Sequence, residues 1–326
     1  CDWSSDVCSS DLLSEKGFSV SVGTHWEKSG ANIQKAINLS EADMYTEKKK
    51  YYRRNHMHSG DGRYRKQNDK ILSIIEPAKL QELIKNGNFK VLYQPKFRIQ
   101  GSKAEISGAE ALVRLVVDGT VIQPDDFIPA LESAQYTYLI DYFVFETICR
   151  RMRERLDLGQ KILPVSCNFS RHTIVRTDFK AVLKDILRKY DIPCGLIPLE
   201  VSEHTNTSRH KEFVEVTTLL AQEGFNISID DFGTAHANIY SLADLSVNEI
   251  KFDKKLIDNL ASTDNTKITT IIGVLITMCK KLGIKTIAEG VEDHEQSEIL
   301  KKLGCDEIQG YYFSRPVEDA DYYGRF

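Results

Sequence analysis

Residues 211–233 read KEFVEVTTLLAQEGFNISIDDFG, which is a helix pattern, a glycine and a strand pattern in direct succession. The apolar spacing predicts a helix over Lys211–Gln222, ended by Gly224, and a strand over Phe225–Ile229. Two adjacent carboxylates, Asp230 and Asp231, then follow the strand. Neighbouring carboxylates repel each other and are costly to bury unless a cation neutralises them. The stretch therefore predicts a strand that ends in a metal site.

The order of helix, glycine and strand recurs along the chain. The further units are Pro77–Lys85, Gly87 and Phe89–Tyr93; Thr266–Leu282, Gly283 and Ile284–Ala288; and Glu295–Leu303, Gly304 and Cys305–Ile308. Repeated units of this kind indicate a parallel sheet. The span Ile71–Phe326 is close to the roughly 250 residues of a (β/α)8 barrel. A doubly wound open sheet is the alternative, but no Gly-rich phosphate loop follows the first strand.

Composition is that of an ordinary globular chain. The 326 residues are 41% hydrophobic and 28% charged, with a net charge of -4, so we expect no nucleic-acid polymer as a partner. No apolar run approaches the roughly 20 residues that span a bilayer. The seven cysteines form no C-x-x-C pair, which indicates free thiols in a reducing cytoplasm rather than zinc binding. We expect a cytoplasmic location, although upstream segments could attach a longer protein to a membrane.

The region before residue 71 has a different character. Residues 1–12 are Ser/Asp-rich and aperiodic, and we expect them to be non-native or disordered. In residues 13–56, Ser19–Gly23 (SVSVG) and Ala42–Tyr45 (ADMY) resemble the C-terminal end of a GGDEF domain, the diguanylate cyclase module. Its signature loop is missing, so this small α/β remnant is not predicted to make a cyclic dinucleotide. Residues 57–70 are predicted to be a linker, and residues 71–326 the main domain.

Polar side chains follow the predicted strands of the main domain. They are Gln94, Glu110, Asn168, Glu200 with Glu203, Asp230 with Asp231, Lys251 with Asp253, Glu289 with Glu292, and Gln309. In a (β/α)8 barrel the carboxyl ends of the strands form one mouth, so these groups are expected to converge. Oxygen ligands of this kind suit Mg²⁺ or Mn²⁺. Their number is enough for two ions, an arrangement that serves phosphoryl displacement.

The same residues form a recognisable set of motifs. They are Tyr93–Pro95 (YQP), Glu110–Arg114 (EALVR), Cys167–Ser170 (CNFS), Glu200–Glu203 (EVSE), Asp230–Thr234 (DDFGT), Lys251–Asp253 (KFD), Ala288–Glu292 (AEGVE) and Gln309–Phe313 (QGYYF). Together they resemble the EAL domain, a family of cyclic di-GMP phosphodiesterases, from about Ile71 to Phe326 and in the family's order. The resemblance implies a TIM-like barrel whose first strand is antiparallel to the others, and hydrolysis of cyclic di-GMP to linear pGpG.

The resemblance also implies a metal site. One ion would be held by Glu110, Asn168, Glu200 and Asp230. Asp230 would bridge to a second ion, with Asp231 and Glu289 beside it. Lys251 would orient the attacking water or offset charge at the phosphorus, and Glu289 is the candidate general base.

Other roles follow from the same resemblance. The residues implied in dinucleotide binding are Gln94, Leu112, Arg114 and Gln309, with Arg114 on a phosphate. Glu203 would anchor the loop after Asp231. Asp253 and Glu292 would support the ligands, and ordinary salt bridges to neighbouring Lys and Arg are the equal alternative for both.

The chain departs from the family pattern in two places. Ala235–Ile239 (AHANI) replaces the usual Gly-Tyr-Ser-Ser-Leu, in a loop that the family links to metal binding and dimer contacts. Leu115–Thr120 is shortened and lacks the usual Trp. Three functions stay open: an active phosphodiesterase, a non-catalytic cyclic di-GMP receptor or interaction module, and a phosphodiesterase for another cyclic dinucleotide. A homodimer through the barrel is also expected from the family.

Overall fold

The computed structural model describes residues 76–100, 103–202, 210–233, 245–260 and 266–325. The GGDEF-like remnant, the linker, Glu203 and the variant loop 235–239 lie outside these residues. Among the described helices, none combines the length and the apolar character needed to cross a membrane.

The chain divides into two compact units, each described by itself. The first includes the described residues of Cys1–Glu82 together with Gln123–Tyr136. Its helix α2, Pro124–Ser133, starts at a proline, as first turns tolerate, and buries Phe127 and Leu131. Helix α1, Pro77–Lys85, coincides with its predicted range and spans the boundary at residue 82.

The second unit alternates strands and helices, as the sequence predicts. Its strands are β1 (Phe89–Gln100), β2 (Lys103–Val117), β3 (Thr120–Ile122), β4 (Val165–Asn168), β5 (Leu199–Ser202), β6 (Ile227–Phe232), β7 (Glu249–Phe252), β8 (Lys285–Ala288) and β9 (Glu307–Ile308). Its helices are α3 (Thr137–Asp157), α4 (Arg171–Ile174), α5 (Phe179–Tyr190), α6 (His210–Gln222), α7 (Lys254–Ile257), α8 (Thr266–Lys281), α9 (His294–Leu303) and α10 (Asp319–Tyr323), with a 3₁₀ turn at Cys194–Leu196.

The strands close into a barrel. The order is β1-β9-β8-β7-β6-β5-β4-β2, and pairing between β1 and β2 completes the circle, with β3 attached to β2. Strand β1 is antiparallel to both of its neighbours, whereas the pairs from β2 through β4 to β9 are parallel. The TIM-like barrel with an antiparallel first strand is confirmed, and the open doubly wound sheet is excluded.

The first hairpin corrects two predicted strand ends. Gln94 and Glu110 lie in the middle of β1 and β2 and are direct cross-strand partners, because the pairing continues as far as Gln100 and Lys103. Opposed residues of an antiparallel pair point to the same face, so both side chains still reach one side of the sheet. The short connection after β2 is a two-residue turn at Asp118 and Gly119, which explains why residues 115–120 are compact.

The predicted helix stops are confirmed. Gly224, Gly283 and Gly304 have φ angles of 90°, 73° and 79°, in the left-handed region. After each, the next amide donates to the carbonyl five residues earlier: Phe225 to Leu220, Ile284 to Cys279 and Cys305 to Leu300. This is the Schellman arrangement, in which a glycine takes the backbone conformation that other residues avoid.

Replacing Gly283 by Ala is therefore expected to lower the free energy of unfolding by about 1–2 kcal/mol through backbone strain alone. A Cβ at this position meets no atom within 4 Å, so crowding does not contribute. Urea denaturation followed by circular dichroism measures the change. The matched control is Gly195→Ala, whose Cβ would lie 3.8 Å from the carbonyl oxygen of Gly224 without a positive φ. Equal losses in the two variants would contradict the role of the left-handed backbone.

Candidate active site

The ammonium group of Lys251 stands at the centre of the carboxylates in the barrel. Its Nζ lies 3.3 Å from Glu110 Oε2, 2.9 Å from Glu200 Oε2 and 3.2 Å from Asp230 Oδ1, and it also contacts Glu289 Oε1. Lys251 and Glu200 are completely buried. Four of the acids predicted from strand positions are therefore brought together around one cation.

Strand register brings these side chains towards the same end of the barrel. Asn168 is paired with Glu200 on neighbouring parallel strands, and Ser202 with Asp230 two positions further along β5. Lys251 follows on β7, and Glu289 comes directly after β8. Because the carboxyl ends of parallel barrel strands share one rim, residues far apart in sequence meet there.

Three amide side chains surround Glu110. Asn168 Nδ2 donates to Glu110 Oε1 at 2.7 Å, and Gln309 Nε2 donates to Glu110 Oε2 at 2.7 Å. Gln309 Nε2 also lies 3.2 Å from Gln94 Oε1. Each oxygen of Glu110 thus has a fixed donor, and the predicted residues Gln94, Asn168 and Gln309 are part of the same cluster.

The acids alter one another's protonation. Burial and the neighbouring Glu200 raise the pKa of Glu110. Burial and Asp230 hold the pKa of Glu289 well above its ordinary value, even though Lys251 opposes them. Glu200 behaves in the opposite way: burial disfavours its charge, yet Lys251 and Lys96 lower its pKa to about 2. The centre therefore contains a carboxylate that stays ionised beside others that retain protons more readily.

The Asp230-Asp231 pair lies within β6 rather than after it, which corrects the predicted strand end at Ile229. The register of β6 against β7 shifts between Ile229 and Phe232, and Asp231 has a φ of 58°. The amide of Asp231 donates to Asp230 Oδ1 at 2.9 Å. Burial, Asp230 and Asp253 raise the pKa of Asp231 to about 6. Asp230 thus raises the pKa of its neighbour Asp231 within an irregular strand.

The arrangement fits a divalent cation. One ligand oxygen from each of Glu110, Glu200 and Asp230 can be chosen so that all lie within 4.8 Å of one another. With Asp231 and Glu289, the cluster has five acids against the two ammonium groups of Lys96 and Lys251. The carboxyl groups outnumber the ammonium groups, and a hard cation with oxygen ligands would offset the excess negative charge.

The remaining predicted residues are placed less centrally. Leu112 and Arg114 follow Glu110 at two-residue steps on β2, so they share its face, and both are half-buried. Asp253 caps α7 by accepting from the amide of Lys255 at 2.8 Å and also adjoins Asp231. Glu292 is half-exposed and forms a salt bridge with Lys254 Nζ at 2.9 Å. Such a salt bridge was the alternative to a role in supporting the metal ligands. No described contact tests the role of Glu203.

Sequence reasoning missed Lys96. This residue is 3% exposed on β1, and its Nζ lies 2.8 Å from Glu200 Oε1 and 2.8 Å from Ser166 Oγ. Burial lowers the pKa of Lys96, but Glu200, Glu249 and Glu110 together outweigh it and the pKa is raised. The signal in the sequence was its position two residues after Gln94, on the same face of a strand.

Fold and site together define a barrel enzyme of the TIM class with a carboxylate and lysine centre at the carboxyl ends of its parallel strands. The EAL domain family model matches residues 78–316. The chain belongs to the EAL domain family, whose phosphodiesterases depend on metal ions.

Curated relatives agree with this assignment. The chain is 35% identical over 251 residues to the signaling protein YkoW of Bacillus subtilis. This alignment covers 77% of the chain and 31% of YkoW. It is 30% identical over 249 residues to the probable cyclic di-GMP phosphodiesterase PdeB of Escherichia coli, covering 75% of this chain and 46% of PdeB. The chain thus spans less than half the length of these relatives.

Solved structures share the fold. The PaMucR phosphodiesterase in its c-di-GMP complex has a TM-score of 0.69 at 27% identity, covering 78% of this chain and 99% of that one. An EAL domain protein from Listeria monocytogenes EGD-e has a TM-score of 0.65 at 27% identity, covering 77% and 97%.

Lys251→Met is expected to lower the free energy of unfolding by about 3–5 kcal/mol when divalent ions are removed with EDTA, because it leaves buried acids without their cation. Chemical denaturation at neutral pH measures the loss. Lys254→Met is the control, because its side chain is 45% exposed and its salt bridges to Asp258 and Glu292 are worth about 0–1 kcal/mol. A Lys251→Met protein as stable as this control would show that Lys251 is not the neutralising group.

Proposed function

We propose that this chain hydrolyses one phosphodiester bond of cyclic di-GMP to give linear pGpG, in a reaction that depends on Mg²⁺ or Mn²⁺. The observation that carries the proposal is the contact of Lys251 with Glu110, Glu200, Asp230 and Glu289 at a single point of the barrel. The family and the names of relatives such as PdeB support the same substrate.

Two cations fit the number of oxygen donors. Glu110, Asn168, Glu200 and Asp230 would hold one ion, and Asp231 and Glu289 would hold a second that shares Asp230. Bound there, divalent ions would supply Lewis-acid stabilisation of phosphoryl oxygens and activation of water. Hard oxygen ligands favour Mg²⁺ or Mn²⁺ over zinc.

The dinucleotide would lie across the rim formed by β1, β2 and β9. Gln94 and Gln309 are hydrogen-bonded to each other there, and Leu112 and Arg114 share the face of Glu110. The Arg114 guanidinium suits a phosphate, because its planar donors can engage two oxygens at once. The amides and Leu112 would fix the orientation of the nucleotide.

Glu289 and Lys251 have different roles in the proposed reaction. Glu289 contacts Lys251 at the centre of the acids, and its carboxylate would accept a proton from the attacking water. The Lys251 ammonium, held by Asp230 and Glu200, would offset the negative charge that develops as the P–O bond breaks. Asp231 is proposed to assist in positioning the water.

Glu289→Gln removes the base while keeping the size of the side chain, and is expected to lower kcat by about 10²–10⁴-fold. Glu110→Gln is expected to abolish turnover in the same way through the metal site. The measurement is conversion of cyclic di-GMP with Mg²⁺ or Mn²⁺, with pGpG identified by chromatography and mass. Glu154→Gln, which alters an exposed helix ion pair, is the control. Unchanged turnover in Glu289→Gln would refute its role as base.

Arg114→Met is expected to raise KM by roughly 10–100-fold with a smaller change in kcat, since a charged hydrogen bond to phosphate is worth about 1.5–3 kcal/mol. Steady-state kinetics at saturating metal separate the two constants. Arg150→Met on the outer face of α3, which pairs with Glu154, serves as the control. A fall in kcat alone would place Arg114 in the chemistry instead of binding.

The second candidate function is a non-catalytic receptor for cyclic di-GMP. Protein that binds the dinucleotide by calorimetry but yields no pGpG with either metal would support the receptor. Hydrolysis assays with a panel of cyclic dinucleotides distinguish the cyclic di-GMP phosphodiesterase and the receptor from a phosphodiesterase with another substrate. The contact of Lys251 with both Glu110 and Glu289 favours the enzyme. A homodimer and a cytoplasmic location belong to the same proposal.

A further inference from the structure

A second buried ammonium group lies beneath the acidic centre. Lys96 follows Gln94 by two residues on the antiparallel strand β1, so its side chain is on the same face but one step further from the mouth. Ser166, two residues before Asn168 on β4, is at the corresponding depth. Neither group has a part in the proposed reaction.

Each of the two lysines contacts a different oxygen of the Glu200 carboxylate. Lys96 Nζ lies 2.8 Å from Oε1, and Lys251 Nζ lies 2.9 Å from Oε2. Glu200 has no exposure to solvent, so no water competes for either oxygen from outside. The carboxylate is consequently held in one orientation, with Oε1 engaged from below and Oε2 turned toward Glu110 and Asp230.

Lys96 is itself held in place. Its Nζ is 2.8 Å from Ser166 Oγ, and that hydroxyl donates to the carbonyl oxygen of Ala109 at 3.3 Å. The ammonium is therefore anchored to the backbone of β2 next to Glu110. Through these contacts, the backbone of the barrel wall fixes the position of Glu200 Oε1.

We propose that Lys96 is a positioning residue that sets the metal preference of the site. Lys96 holds Oε1 from the barrel wall, so a cation among Glu110, Glu200 and Asp230 would compete only with Lys251, and only for Oε2. Ca²⁺ takes six to eight oxygens and often binds both oxygens of a carboxylate, whereas Mg²⁺ requires six in near-ideal geometry. Lys96 thus favours Mg²⁺ over Ca²⁺. The inference rests on the proposed function only in placing the cation among Glu110, Glu200 and Asp230.

Metal binding to the full chain, measured by calorimetry with MgCl₂ and CaCl₂ after EDTA treatment, tests this without any substrate. Lys96→Met is expected to weaken Mg²⁺ binding by about tenfold, the usual effect of losing a residue that orients a ligand. Ca²⁺ binding is expected to stay equal or tighten, so the ratio of Kd for Ca²⁺ to Kd for Mg²⁺ falls by about tenfold. Lys96→Gln, which keeps a neutral donor, is expected to change the ratio in the same direction by a smaller factor.

Lys285→Met is the matched control. It removes a lysine that faces the barrel acids Glu249 and Glu307, at 3.1 and 2.8 Å, without touching Glu200. The ratio of Kd for Ca²⁺ to Kd for Mg²⁺ in Lys285→Met is expected to equal that of the parent protein.

An unchanged ratio in a folded Lys96 variant would overturn the proposal, as would an equal shift in Lys285→Met. Failure of both Lys96 variants to fold, seen by circular dichroism, would assign Lys96 a structural role instead. If the parent protein converts cyclic di-GMP but the Lys96 variants leave the Ca²⁺-to-Mg²⁺ ratio unchanged, the role of Lys96 is refuted while the proposed function stands. The proposed metal site fails if the parent binds neither ion.

Discussion

Negative charge gathered in a dry barrel is the constraint on which this structure depends. Glu110, Glu200, Asp230 and Glu289 converge where water screens them poorly, and such a cluster is stable only with cations inside it or protons on it. The protein uses both means. Lys251 supplies positive charge at the centre, while burial raises the proton affinity of Glu110 and Glu289. The same imbalance makes the site a place where divalent ions are attracted.

The irregular strand β6 explains how two adjacent acids can serve one site. In a regular strand, successive side chains point to opposite faces, so Asp230 and Asp231 would be separated by the sheet. The left-handed backbone at Asp231 and the register shift before Phe232 break that alternation. Asp tolerates this conformation better than most residues, at a cost of order 1–3 kcal/mol. This backbone conformation places Asp231 beside Asp253 while Asp230 contacts Lys251.

Much of the fold was predictable because its signals are local. Helix, glycine and strand follow one another in the sequence, and Glu289 after β8 and Asn168 at the end of β4 were correctly placed. The errors concern features that depend on distant partners. Gln94 and Glu110 are central in their strands because β1 reverses direction and pairs along the whole of β2, which no short window reveals. Lys96 was missed because a lysine in a strand is usually exposed, and only the closed barrel turns it inward toward Glu200.

The closure of the barrel has a consequence for synthesis on the ribosome. Strand β1 pairs with β9 at one position, Phe97 with Ile308, and Gln309 directly after β9 donates a hydrogen bond to Glu110 of β2. Tyr93 of β1 also stacks on Tyr322 of α10. A nascent chain emerging N-terminus first therefore exposes its charged interior until its last strand is translated. Closure of the barrel around the acids therefore requires β9 and the residue after it, so a product terminated before Glu307 would carry the acids without their enclosure.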